Sequence, residues 1–175
     1  GHRQDSLFDG FGRLVRKIEY AGADGRFPAK YPHTPSYTAL AYTDYLYDLD
    51  GNLTQVKDQD QNTTTIVYDK LGRKREMTDP DMGHWSYTYD LNGNLKTQTD
   101  AKDHTIYFEY DDINRLYSKW DNQGINDIYT YDDKPNSKGR LTKVAFPGGE
   151  RRFDYDTRGR TSQSTKIIEG TAYPV

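Results

Sequence analysis

The side chains in this sequence best suited to chemistry are carboxylates and amides set in tight clusters. Asp48-Leu49-Asp50-Gly51-Asn52 and Asp58-Gln59-Asp60-Gln61-Asn62 place oxygen donors one or two residues apart. Hard oxygens of this kind ligate Ca2+, but neither run is followed by the bidentate Glu that closes an EF-hand loop. Asp and Asn also bond their own backbone in turns, so turn formation is the preferred reading and calcium stays an open alternative. The histidines His2, His33, His84 and His104 share no metal-ligand spacing. His84 and His104 follow equivalent turns, but a zinc site would need further ligands that the sequence does not offer. No G-x-S-x-G nucleophile pattern occurs. Carboxylates that recur at turns do not suggest the opposed acid and base of a glycosidase. The absence of cysteine removes disulfides and thiolate ligands. The expectation is no catalysis, no metal and no cofactor.

What positions these clusters is a repeat. Tyr-Asp pairs stand at Tyr47-Asp48, Tyr68-Asp69, Tyr89-Asp90, Tyr110-Asp111 and Tyr131-Asp132, each 21 residues after the last. Tyr155-Asp156 follows 24 residues later, and a degenerate Phe8-Asp9 copy precedes the first by 39. A fixed period of this size marks a repeat architecture.

Each unit reads as strand, turn, strand, turn. Asp opens the first turn, and Gly51, Gly72, Gly93, Asn114, Gly139 or Gly159 closes it. That pattern fits a type I turn followed by a residue with positive φ, the three-residue hairpin with a G1 bulge. The turn fixes a register: Tyr47 opposes Leu53, Tyr89 opposes Leu95 and Tyr110 opposes Leu116. Asp69 then faces Arg73 and Asp111 faces Arg115; Arg140 and Arg160 hold the same place after Asp132 and Asp156. Second turns begin at Asp58, Asp79, Asp100 and Asp121. Two turns in 21 residues leave strands of about 5–7 residues, the usual length.

A second aromatic precedes the first by two in Tyr45/Tyr47, Tyr87/Tyr89, Phe108/Tyr110, Tyr129/Tyr131 and Phe153/Tyr155. Period two puts both rings on one face, and the expected core is a ribbon of these rings and the opposed leucines. Early in the chain Leu14, Arg16, Ile18 and Tyr20 are expected on one face and Val15, Lys17 and Glu19 on the other. If the aromatic strip faced solvent instead, Tyr45, Tyr87, Trp85 and Trp120 would be candidates for stacking on a glycan.

Composition agrees with an ordered but wet β structure. Only 30 of 175 residues are Leu, Ile, Val or Phe, and the mean hydropathy is −1.06. The 16 tyrosines supply the missing apolar area, and disordered chains are poor in aromatics. The net charge of −3, without a basic run, argues against a nucleic-acid partner. No apolar run approaches the ~20 residues of a helical membrane span.

The chain divides as one array over 1–175: a degenerate repeat at 5–20, a Pro-rich insertion loop at 26–37, regular repeats at 38–133, looser repeats at 134–165, and an end at 166–175 that reads as a cut through the next unit. The insertion accounts for the 39-residue step, and its prolines exclude a central strand.

The run Tyr-Asp-x-x-Gly-Arg/Asn-Leu, with Asp following and Tyr-Asp again after 21 residues, resembles the YD repeat of the Rhs (rearrangement hot spot) proteins, whose relatives include the B/C components of insecticidal toxin complexes and the teneurins. The resemblance covers about residues 5–165. It implies an all-β fold of antiparallel hairpins in a continuous curved, spiralling sheet, of which this chain would be an arc. It implies a non-catalytic module of a secreted or cell-surface protein, enclosing a toxin or building an ectodomain. The partners implied are the rest of a parent protein or its toxin cargo. The family's self-cleavage motif has no counterpart here, and no such role is carried onto Asp79 or Asp81. Unpaired edge strands suggest self-association, and glycan recognition is the alternative function.

Overall fold

The computed structural model describes residues 3–21, 38–124 and 126–174. The insertion loop expected at 26–37 lies outside the described residues. Every described element is a β-strand, neighbouring strands are antiparallel, and strand order in the sheet follows chain order. Two compact units are distinguished, Gly1–Trp85 and Ser86–Val175.

The first unit holds β1 (Arg3–Phe8), β2 (Leu14–Ala21), β3 (Thr38–Tyr47), β4 (Leu53–Asp58), β5 (Thr63–Tyr68), β6 (Lys74–Asp79) and the first residues of β7 (Gly83–Tyr89). The second holds the rest of β7, then β8 (Leu95–Thr99), β9 (Thr105–Tyr110), β10 (Leu116–Asp121), β11 (Asn126–Tyr131), β12 (Leu141–Phe146), β13 (Gly149–Tyr155), β14 (Thr161–Ile168) and β15 (Thr171–Pro174).

The first turns take the geometry their residues dictate. In the first unit the Asp48 N–H donates to the Asn52 carbonyl (3.0 Å) and the Gly51 N–H to the Asp48 carbonyl (3.2 Å). Gly51 has φ 89°, a left-handed value that costs glycine nothing. The register pairs Tyr47 with Leu53, and in the second unit Tyr89 with Leu95 and Tyr110 with Leu116, as that turn predicts. Asp58 and Asp100 build the same loop at second turns, with Gln61 (φ 70°) and Asp103 (φ 59°) in the left-handed position.

Two expectations need correction. The first concerns strand alternation. A register shift sits just inside each first turn, between Leu7/Phe8 and Leu46/Tyr47 among others. The second strand thus carries one extra residue: Val15, Thr54, and in the second unit Thr142. Such a bulge interrupts the period of two. Leu14 therefore shares a face with Lys17, which opposes Ser6, while Arg16 and Ile18 lie on the other face opposite Leu7 and Asp5.

The second concerns the core. Among the described residues no hydrophobic side chain is fully buried. Among the described residues each unit consists of sheet strands and their turns, so nothing described forms a second layer over the Tyr–Leu ribbon, and its rings are half-buried by their lateral neighbours. The fully enclosed side chains are instead Thr142 and Ser137, at 0% and 1% exposure. With little area removed from water, the hydrophobic term is small, and polar links between repeats carry more of the specificity.

Candidate functional site

The repeated residues converge on one motif, built first around the turn carboxylate. Asp69 accepts the backbone N–H of Leu71 and of Arg73 on one oxygen, and the Arg73 guanidinium on the other at 2.7 Å. Asp9, Asp111 and Asp156 repeat this with Arg13, Arg115 and Arg160. Where the chain has Asn instead, its side-chain amide fills the same place: Asn52 Nδ2 donates to Asp48 at 2.9 Å and Asn94 Nδ2 to Asp90 at 3.0 Å. Both oxygens of each carboxylate are thus engaged within the turn, which is what the calcium-like runs at 48–52 and 58–62 do. Hydrogen bonds to an ionised carboxylate favour that form. The side-chain amides of Asn52 and Asn94 lower Asp48 and Asp90 below the usual carboxylate range, and the Arg73, Arg115 and Arg160 backbone N–H groups do so first for Asp69, Asp111 and Asp156.

The tyrosine of each pair then ties its repeat to the one before. The Tyr68 hydroxyl donates to the carbonyl of Leu53, on the neighbouring strand, at 3.0 Å, and Tyr47 donates to Leu14 at 3.0 Å. In the second unit Tyr110, Tyr131 and Tyr155 donate to Leu95, Leu116 and Leu141. Each accepting leucine follows the turn of the preceding repeat. The turn arginine adds a second link. Arg13 lies 4.9 Å over the Tyr47 ring, and in the second unit Arg115 lies 4.3 Å over Tyr131 and Arg140 5.5 Å over Tyr155. Arg115 also reaches Asp132 of the next turn at 2.7 Å, and Asn94 reaches Asn114 at 2.8 Å. The chain of links runs from Asp to Arg or Asn, onward to the next Tyr or turn, and back to a leucine carbonyl.

The bulge residue supplies a link that pattern reading missed. Thr54 Oγ1 donates to the Leu46 carbonyl at 3.2 Å, and Thr142 Oγ1 to the Thr130 carbonyl at 2.9 Å. Each hydroxyl serves a carbonyl beside the bulge, where the ladder is interrupted. The hydroxyl role of the paired tyrosine left a readable signal. The position before Asp is Tyr in six of the seven copies, Phe8 being the exception, whereas two residues before those six tyrosines Ile66, Phe108 and Phe153 stand in for Tyr.

The candidate stacking residues are held in the sheet. Tyr45, Tyr87, Trp85 and Trp120 are all half-buried. The Trp85 indole N–H donates to the Met82 carbonyl at 3.1 Å, and Trp120 stacks on Tyr107 with centroids 5.3 Å apart. His84 Nδ1 lies 3.2 Å from Thr78 Oγ1, and His104 Nε2 lies 2.9 Å from Asp121 Oδ2. Among the described residues no group of three or more His, Asp or Glu is placed to hold a metal ion. Gly139 and Gly159 close their turns at φ 76° and 73°.

Fold and motif together define a class: a hairpin-repeat protein whose repeated residues join one repeat to the next. Residues 47–83 and 68–105 each match the family model of the RHS Repeat, so the regular stretch of the array, about a third of the chain, carries this repeat. No curated protein matches its sequence. Among solved structures, the TcdB2–TccC3–TEV crystal structure is similar at TM-score 0.69 and 15% identity, over 93% of this chain and 9% of that one. TcdB2–TccC3 gives TM-score 0.69 and 15% identity over 91% and 9%. The Photorhabdus luminescens Tc holotoxin pore gives TM-score 0.53 and 14% identity over 93% and 11%. The likeness is one of fold, and the chain spans about a tenth of the length of these structures.

Proposed function

We propose that this chain is a non-catalytic wall segment of a larger secreted or cell-surface Rhs-type protein, with the enclosure of a toxin as its main use. The observation that carries this is the fate of the repeated polar side chains. Asp, Arg, Asn and Tyr of the motif bond to one another and to backbone groups of adjacent strands, a use that extends an array. A fold likeness to part of the TcdB2–TccC3 structures supports the enclosure reading. The outer strands β1 and β15 each have one hydrogen-bonded neighbour, and such edges accept further strands, which suits continuation into more repeats of a parent protein.

The test uses the full-length protein that carries this segment. Cryo-electron microscopy is expected to place these repeats in a wall around an enclosed volume, with protease added from outside failing to cut the domain held within. Repeats that project as an open arm, beside a freely digested cargo, would overturn the proposal.

A further inference from the structure

The turns of each unit fall on two edges of its sheet, and the two edges differ in kind. Strand order follows chain order, so the first turns of the repeats share one edge and the second turns the other. In the first unit the first turns present Phe11, Leu49 and Leu71, at 87%, 104% and 76% exposure. Leu91 and Ile113 repeat the feature in the second unit. Turn chemistry asks for Asp at the start and Gly or Asn at the end; it gives these central positions no reason to be apolar. Across the second turns 59–62, 80–82, 101–104 and 122–124 the one large apolar residue is Met82. A contiguous row of exposed apolar side chains marks an interaction surface. Strands added beside β1 or β15 would leave Leu49 and Leu71 as open as before, because a turn caps the ends of its strands and not their flanks.

Successive first turns stand two strands apart, a step of about 10 Å. The gap between the first two is a cleft of about 390 Å³ lined by Phe11, Arg13, Tyr47 and the turn from Asp48 to Gly51. Its polar groups are engaged: Arg13 bonds Asp9 and the Asp48 carbonyl and lies over the Phe11 and Tyr47 rings. The cleft thus offers apolar walls, with room for a large side chain. Two charges beside the row are unmatched. Asp50 next to Leu49 and Lys70 next to Leu71 are exposed, and neither forms an ion pair among the described residues.

We propose that the apolar turn edge docks a second copy of this chain, edge to edge about a two-fold axis. A row of knobs is best filled by another row with the same step, and a second copy carries that step on the same edge. With the rows antiparallel and offset by half a step, Leu71 of one copy enters the Phe11–Leu49 cleft of the other, and the reciprocal contact follows by symmetry. The same offset brings Lys70 of each copy to Asp50 of the other, so the unmatched charges meet. An anionic lipid surface is the poorer occupant, because it calls for Lys and Arg, whereas Asp50 and Asp112 stand beside Leu49 and Ile113. Strands of six residues make a strip about 20 Å wide, and a seam of this kind sets strips side by side. It goes beyond the wall role and does not depend on an enclosed toxin.

The experiment is analytical ultracentrifugation of the chain over a range of concentrations at low salt, where a concentration-dependent dimer is expected. Leu49→Asp with Leu71→Asp is expected to weaken association about 10-fold or more. The melting temperature should stay unchanged, since both side chains stand in solvent. Gln59→Asp with Ala101→Asp adds the same charge at second turns, on the opposite edge, and is expected to leave association as it was. Lys70→Glu and Asp50→Lys are each expected to weaken it about 3-fold or more. An equimolar mixture of these two variants regains the parent's affinity, because both charge contacts are again of opposite sign. A monomer at every concentration would overturn the proposal. So would dimers that ignore the Leu49 and Leu71 substitutions, as pairing through β1 or β15 would give, or dimers lost equally in the opposite-edge variant. A mixture as weak as its components, or Leu49- and Leu71-dependent binding to phosphatidylserine vesicles in place of dimers, would overturn it too. The protease test on the full-length protein decides the wall role separately.

Discussion

Thr142→Val separates a buried polar link from an exposed copy of the same link. Thr142 is 0% exposed and its hydroxyl donates to the Thr130 carbonyl at 2.9 Å. Valine keeps the shape and removes the donor. The net loss of such a bond is about 0.5–1.5 kcal/mol, and a carbonyl shut away from water adds part of a further penalty of about 1–3 kcal/mol. Removing the hydroxyl's own desolvation offsets some of this, so the expected loss is about 1–2 kcal/mol. Thr54 makes the equivalent bond to Leu46 at 3.2 Å in an exposed setting. Water replaces its hydroxyl there, and Thr54→Val is expected to cost less than about 0.5 kcal/mol by the same reasoning. For a chain of this size, 1 kcal/mol moves the melting temperature by about 2–4 °C. Repeat arrays also open locally, so urea unfolding is paired with amide hydrogen exchange over β11 and β12. Equal effects of the two substitutions, or a Thr142→Val chain as stable as the parent, would refute the reasoning.

Two further outcomes are expected. Asp9, Asp48, Asp69, Asp90, Asp111 and Asp156 have folded pKa values below their ordinary value. Their contribution is present above the unfolded value of about 3.9 and is lost as pH falls through the folded values. Circular dichroism from pH 7 to 2 should show stability holding down to about pH 4 and then falling steeply; a carboxylate-driven transition centred above pH 5 would contradict this. Gln61 holds φ 70° with a Cβ. Gln61→Gly removes strain of about 1–3 kcal/mol at an entropy cost of about 0.5–1 kcal/mol, so its melting temperature should rise, and a fall would count against the turn assignment.

Much of the fold was legible because turn chemistry is local. Asp at the start and Gly at the fourth position set the hairpin, the hairpin set the register, and Tyr47 opposite Leu53 followed. The bulge at Val15 and Thr54 was not legible, since an extra residue in a short strand leaves no local composition signal and the Leu14–Tyr20 stretch alternates well enough to mask it. The buried core was wrongly inferred because alternation tells which residues share a face and not whether anything covers that face. Spacing places Tyr131 in the packing ribbon and its strand beside the preceding one, but alternation gives the face of the ring and not the carbonyl its hydroxyl reaches. Tyr173 fell in a stretch that read as an incomplete unit, and its pairing through β15 with Lys166 comes from the hairpin of β14 and β15.

The most direct measurement compares amide hydrogen exchange over β10–β12 in Tyr131→Phe and Tyr129→Phe. Tyr131 donates to the Leu116 carbonyl at 2.8 Å. Tyr129, two residues earlier on the same strand, makes no such bond among the described residues. If the paired tyrosine links repeats through its hydroxyl, Tyr131→Phe loses about 1 kcal/mol. Exchange in these strands then rises about 5-fold, while Tyr129→Phe leaves it near the parent rate. Equal protection in both variants, or faster exchange in Tyr129→Phe, would contradict the inter-repeat link.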